Sequence, residues 1–526
     1  MRIVCLVLLV ACSKSKSPDD ASVDVVMSDT TSDTRFDSAF DSGPIECDER
    51  LAPRVAVLDG DVLANLVAGT LGVEVSYPPV TRDLPALGDP PTSLLLEMAI
   101  TSAVEVVDAT SVSAADVRGV VEQLFRRELR GLESSSLEGA LSSGPEAVDS
   151  VLMQALLAPD FLLLRELAPE GRLSPSEVAM RMSRAMWRDG PTPELVAAVA
   201  GGPGDAIDVL MADPRAARGA HEMHRRWLRY GDFVPLPQMA EETDRYVASI
   251  FAEAATYDAL IASPYTFVDD ELAMLYGLPE RPGSELTRVS VAPERASLFV
   301  HGSMTAGQGI AARGVRIAER VLCRAVPPPP PSIDITITGE GDTQRERYES
   351  TLADPSCLSC HAAFDPYGFA FESYGRDGAY REMEDGFPID ASFEAMDVSG
   401  NGVADLMAWL VTAPTAWECY ARQWVRYVAD AEPAQCMVDQ LGHVPGTTIP
   451  SMLARIAQSE PIMSRPTERG HVDFAFRTPE SDPVLDALQA GQARAEGWAA
   501  LATPEERVVY ETLRDLYVEQ IRRRSI

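Results

Sequence analysis

The sequence predicts an all-α, multi-domain helical protein, and three observations carry that expectation. Apolar residues recur at helical spacing from about residue 92 onward, Pro/Gly punctuation such as Gly190-Pro191, Pro203 and Leu278-Pro279 breaks the runs, and almost nothing reads as a strand. At 526 residues the chain is long enough for roughly three or four domains. Leu94, Leu95, Met98, Val104 and Val107 open the series, and Val117, Val120, Val121, Leu124 and Phe125 continue it. Segments around 146–165, 174–187, 204–230 and 240–276 repeat the pattern. The run Pro327 to Pro331 is a stiff spacer after a helix ending near Cys323. Two more helical stretches occupy 481–526 and end in Arg522-Arg523-Arg524. The expected partition is a leader at 1–12, a tether at 13–46, an N-terminal helical domain at 47–165, a central helical domain at 166–285, a third domain at 286–395, a C-terminal helical domain at 396–466 and a helical tail at 467–526.

Charge and composition exclude several classes. With 45 basic against 80 acidic residues the formal net charge is −35, so a nucleic-acid partner would be repelled and none is expected. Lysine occurs only at Lys14 and Lys16. A P-loop ATPase, a protein kinase or a pyridoxal enzyme would therefore lack its essential amine in the folded region. Eight cysteines in 526 residues are too few for a disulfide scaffold.

Met1-Arg2 and the apolar run Ile3 to Ala11 have the layout of a secretory signal, too short for the roughly 20 residues a bilayer span needs. Leu9-Val10-Ala11-Cys12 resembles the lipobox of bacterial lipoproteins, which implies acylation of the Cys12 thiol. Ser13 rather than Asp after it resembles the rule for outer-membrane sorting. The expectation is an exported outer-membrane lipoprotein facing the periplasm or the cell surface, held to the membrane through its lipid anchor. Residues 13–46 are mostly Ser, Asp and Thr and cannot bury enough apolar surface to offset their ordering entropy, so they read as a disordered acidic tether. Asp24, Asp29, Asp33, Asp37 and Asp41 are too widely set for a calcium loop.

One motif carries chemistry. Cys357-Leu358-Ser359-Cys360-His361 is Cys-x-x-Cys-His, the attachment signature for a c-type haem. Two thiols on one helical turn add across the two haem vinyl groups, and the adjacent imidazole then sits beneath the iron. Cys357 and Cys360 are thus the expected attachment residues for covalent haem c, and His361 the proximal iron ligand. Export agrees with this, because covalent haem attachment takes place outside the cytoplasm. Competing readings are a plain Cys357–Cys360 disulfide, a thioredoxin-like pair, which lacks its βαβ context, and a zinc site, which lacks a second Cys or His pair. His221 and His224 read as a polar helix face. The all-α fold is accordingly expected to hold a cytochrome-c-like haem-binding region within 286–395.

The stretch from Cys357 through Phe364-Asp365-Pro366-Tyr367-Gly368-Phe369-Ala370-Phe371-Glu372-Ser373-Tyr374-Gly375-Arg376-Asp377-Gly378-Ala379-Tyr380-Arg381 resembles a signature of secreted cytochrome-c-like proteins of planctomycetes and myxobacteria. These are built from consecutive domains of unknown function numbered fifteen-ninety-two, fifteen-eighty-eight and fifteen-eighty-five. Further matches follow in the family's order: Pro159-Asp160-Phe161-Leu162, Leu173-Ser174 through Met186-Trp187, Thr266-Phe267-Val268 with Leu272-Ala273 and Leu275-Tyr276-Gly277, then Arg313-Gly314 and Val321-Leu322-Cys323 ahead of the prolines. The resemblance covers roughly 95–460 and implies an architecture and a haem, and hardly a reaction. Asp269 stands where the family has Asn. The N-terminal helix start is degenerate around Ala52–Leu63. A histidine that many members carry shortly before the haem cysteines is replaced here by Tyr348-Glu349-Ser350-Thr351.

Met383, Met396 and Met407 lie downstream at distances usual for a distal ligand. Met407 sits in an apolar helix and reads as core, and Met396, in a looser segment, is the first choice; the distal position stays open, a methionine sulfur holding a six-coordinate electron-transfer haem and an empty position permitting peroxide or small-gas chemistry. Cys47, Cys323, Cys419 and Cys436 remain after lipid and haem are assigned. Their even number suggests two disulfides; Cys419 with Cys436 closes a short loop, and Cys47–Cys323 follows only if that local pair forms, since four cysteines allow three connectivities. The functional expectation is electron transfer in the cell envelope, with redox partner proteins that offer basic docking surfaces to this acidic chain. A haem enzyme, peroxidase-like or a subunit oxidising envelope carbohydrate, and a surface scaffold with a vestigial motif are the alternatives.

Overall fold

The structure, a computed structural model, describes residues 55–78, 91–144, 147–166, 172–231, 234–253, 255–328, 339–353, 355–429, 432–442, 447–464, 474–478 and 482–524. The expected leader and tether, Cys12, Cys47 and Pro329 to Pro331 lie outside the described residues. What is described is mostly helical, with short strands joined two by two as antiparallel pairs. No helix among the described residues is long and apolar enough to cross a membrane. Buried apolar side chains gather in two large clusters and a small one, and these cross the boundaries read from the sequence.

The first cluster is assembled from both ends of the chain. Strand Val55–Val57 pairs with Leu163–Arg165, and helices Gly60–Leu71, Ser93–Ala109, Val117–Phe125, Gly131–Leu141 and Ala147–Leu156 fill the interval. The tail helices Pro483–Leu501 and Pro504–Arg524 complete it, with Trp498, Tyr510 and Tyr517 buried alongside Leu152, Leu156 and Phe161. Asp482 starts the first of these helices by accepting from the Val484 and Leu485 amides at 3.0 and 3.2 Å. The Tyr517 hydroxyl donates to the Leu157 carbonyl. Arg494 from the tail and Arg127 share the carboxylates of Asp160 and Glu133, at 2.7–3.4 Å. The arginines hold the Asp160 carboxyl well below its ordinary range against the opposing effect of burial.

Helix Ser93–Ala109 forms where the periodicity places it. Leu95, Leu96, Ala99, Ile100, Ala103 and Val106 are buried, whereas Leu94 is 53% and Val104 37% exposed, so two members of the periodic series lie off the buried stripe that Ala99 and Ala103 help to form.

The second cluster runs from Leu173 to Ile462. Ser174 and Glu177 form a reciprocal cap, at 3.3 and 2.8 Å, that starts helix Pro175–Met186. The helical segment at 204–230 holds two helices, Ala206–Ala212 and Ala216–Leu228, parted at Asp213-Pro214, because a proline disfavours helical backbone in the residue before it. The segment at 240–276 holds helices Gln238–Glu253, Tyr257–Ile261 and Asp270–Leu275 together with a strand, Tyr265–Val268, paired to Thr287–Ser290. Asp269 accepts from the Leu272 amide at 2.8 Å and caps the last of these helices; an asparagine oxygen can do the same, which explains the exchange at this position.

Two further expectations are corrected. His224 is not on a polar face: it is wholly buried, with Nδ1 2.7 Å from the Ala220 carbonyl and its ring against Trp227, Phe251, Tyr420 and Trp424. Burial pushes its imidazole down to about 4. One disulfide joins Cys323 to Cys419, Cα atoms 5.4 Å apart, in place of the expected Cys419–Cys436 and Cys47–Cys323 pairings. Cys419 lies on the buried face of helix Pro414–Ala429, whereas Cys436 is exposed on Gln435–Gln440 and is itself disulfide-bonded. Closeness in sequence does not turn the two thiols the same way.

A buried polar network lies between the central helices and the segment that follows them. Glu242 accepts hydrogen bonds from Thr266 and, at 2.6 Å, from the Tyr276 hydroxyl, which in turn accepts from the Gly302 amide at 2.8 Å. His301 lies 3.0 Å from the Thr243 hydroxyl and 3.3 Å from that of Thr266. Burial pushes Glu242 up to about 7 and His301 down to about 3.

Candidate functional site

The haem motif occupies helix Pro355–His361. Cys357 and Cys360 are three residues apart and His361 is four from Cys357, so all three share one helical face. Both thiols are unbonded, Cys357 half-buried and Cys360 exposed, which sets aside the plain disulfide. The chain then turns at the buried Phe364 into helix Asp365–Phe369, with the Phe364 ring 4.9 Å from that of His361.

A second helix, Gln344–Thr351, backs the motif. Thr343 and Glu346 cap it reciprocally, each bond 3.2 Å long, and fix the buried Tyr348 one turn in. His361 Nδ1 lies 2.9 Å from Asp365 Oδ2 and 2.9 Å from the Tyr348 oxygen, and the Tyr348 hydroxyl donates to Asp365 Oδ1 at 2.7 Å. An ionised carboxylate only accepts, so Nδ1 is the donor to Asp365 and Nε2 is the nitrogen a metal would meet. Asp365 is buried; burial pushes its carboxyl up, while the bonds from Tyr348 and His361 act the other way. The buried Glu372 nearby is pushed up to about 7 by burial, opposed by Arg313 and Arg381.

Arg313 and two glycines fix this arrangement to the core. The buried Arg313 guanidinium donates to the carbonyls of Thr305, Phe371, Tyr374 and Gly375 at 2.8–3.0 Å, gathering the chain after the motif around one side chain. A Cβ on Gly314 would meet the Phe364 carbonyl oxygen at 2.2 Å, and one on Gly368 the Ile310 carbonyl oxygen at 2.2 Å. Helices Ile310–Val315 and Asp365–Phe369 thus cross backbone against backbone.

The other expected residues lie apart from this constellation. Met396 is 86% exposed on the turn between strands Ser392–Glu394 and Ser399–Asn401, Met383 is exposed on a two-residue strand, and Met407 is buried in the core. Cys12 lies outside the described residues. The motif reading did not assign roles to Tyr348 and Asp365. An acid four residues after His361 was the available signal for Asp365; Tyr348, 13 residues upstream, had none. Tyr348 meets Nδ1, the nitrogen turned away from any metal on Nε2, so it stands behind the histidine rather than opposite it.

The residues present fit a c-type haem: two free thiols and an imidazole on one face, its second nitrogen engaged, and the apolar Leu358 left exposed within the motif. The fold is that of a mostly helical protein. Residues 293–384 match a family described as a protein of unknown function, DUF1588 (PSCyt3), and residues 173–278 match another, DUF1592 (PSD4). Both are planctomycete cytochrome-c-like domains of unknown function. No curated protein and no solved structure matches the chain. Glu242, Thr266 and Tyr276 come from the second matched stretch and His301 and Gly302 from the first, so the buried polar network joins the two.

Proposed function

We propose that the chain is an exported, lipid-anchored c-type haem protein that carries electrons in the cell envelope. The observation that supports this most is the motif face itself, two unbonded thiols one turn apart beside an imidazole whose Nδ1 is occupied. Cys357 and Cys360 would hold the porphyrin through thioether bonds, and His361 would hold the iron through Nε2. The haem, once bound, supplies one-electron chemistry; the chain supplies covalent attachment, an oriented ligand and apolar burial. Pyridine haemochrome and a haem stain on a denaturing gel are expected to show one covalent haem c, and Cys360→Ala is expected to weaken or abolish the stain. A wild-type protein exported to the periplasm with no Soret band overturns the reading in favour of a scaffold.

The haem-enzyme alternative is favoured by one observation, the carboxylate behind His361, since a strongly donating axial ligand favours peroxide O–O cleavage. A low-spin spectrum indifferent to carbon monoxide supports electron transfer; ready binding of carbon monoxide or peroxide supports the enzyme.

A further inference from the structure

We infer that Asp365 and Tyr348 act as an opposed pair that sets the donor strength of His361, and through it the reduction potential of the haem. This rests on the c-type haem reading above. A ligating imidazole donates more strongly when its other nitrogen gives its proton to a carboxylate than when it gives it to a neutral acceptor, because the ring then takes on part of the anion's charge. Stronger donation favours ferric over ferrous iron and lowers the potential. Asp365 is built for this: it is buried, its Oδ2 lies 2.9 Å from Nδ1, and its place four residues after His361 across the Phe364 turn leaves the carboxylate little freedom. Tyr348 works against it. Its hydroxyl donates to Oδ1 at 2.7 Å and draws charge from the carboxylate, while its oxygen, 2.9 Å from Nδ1, offers the imidazole a weaker, neutral acceptor. The reciprocal cap of Thr343 and Glu346 and a ring contact with Phe369 hold the tyrosine in register.

Two residues that merely buttressed the histidine would loosen it in the same sense when altered. An opposed pair gives opposite signs. Asp365→Asn leaves a neutral acceptor and is expected to raise the midpoint potential. Tyr348→Phe frees the carboxylate to accept more strongly from Nδ1 and is expected to lower it. Asp365→Glu, which restores the charge, is expected to return the potential toward wild type. The measurement is a spectroelectrochemical titration of each purified holoprotein, with pyridine haemochrome on the same samples. Shifts of the same sign in both variants, or an unchanged potential in a fully haem-loaded Asp365→Asn protein, overturn the inference while the haem reading stands. Absence of covalent haem from the wild type overturns the haem reading and this inference with it. Should Asp365→Asn fail to fold, Tyr348→Phe still decides, and a potential that rises or stays constant overturns the pair.

Discussion

Single side chains decide more here than motif spacing shows. Glu242 ordinarily ionises near 4.5 and is pushed up to about 7 in the fold by burial, so the folded chain holds this proton more tightly than the unfolded chain does. The resulting stabilisation is complete below the unfolded value and is lost as pH rises through the folded one. Glu242→Gln keeps the shape without the ionisation, so between about pH 5 and pH 8 the wild-type melting temperature is expected to fall more steeply than the variant's. Parallel curves would mean that Glu242 ionises normally in the fold. The sequence announced the chemistry of the motif at this scale and little of what surrounds it. Cys357, Cys360 and His361 were legible because their meaning lies in spacing alone. Tyr348, Glu242 and His301 take theirs from partners brought close by tertiary packing, and His224 looked polar because an isolated helix does not reveal the aromatic rings that enclose it.

At the scale of elements, helical spacing located most helices and missed the strands. Tyr265–Val268 was read as part of a helical stretch because a four-residue strand is too short to establish an alternation of its own, and its partner Thr287–Ser290 lies beyond an intervening helix. The crossing of helices Ile310–Val315 and Asp365–Phe369 was not legible either, since Gly314 and Gly368 gain their meaning from the carbonyls they face. Gly314→Ala is expected to cost roughly 1–3 kcal/mol, as overpacking does, and to disturb the seat of Phe364 and His361. Gly119→Ala, in the exposed part of helix Val117–Phe125 where an added Cβ meets nothing within 4 Å, is expected to stabilise by about 0.5–1 kcal/mol. Denaturant unfolding of the two variants measures both, and equal effects would show that the crossing can open to admit a methyl group.

For the whole molecule, the expected partition set the tail apart, and the structure returns it to the first cluster. The sequence showed two helices there but not their destination, because an amphipathic face does not name the surface it covers. Truncation before residue 482 removes Trp498, Tyr510 and Tyr517 and leaves Asp160 and Glu133 with Arg127 but without Arg494. Hydrogen exchange is expected to accelerate in helices Ser93–Ala109 and Ala147–Leu156 of the truncated chain, while the cluster from Leu173 to Ile462 keeps its protection. Unchanged exchange in those two helices would show that the tail adds nothing to the first core.

The bond between Tyr517 and Leu157, 360 positions apart, also gives folding a clock. A chain that emerges one residue at a time can close its second cluster once Ile462 is out, but must hold its first one open until Tyr517 arrives. The earliest helices to appear are therefore among the last to be covered, and during that wait their apolar faces are the ones a chaperone has most reason to shield.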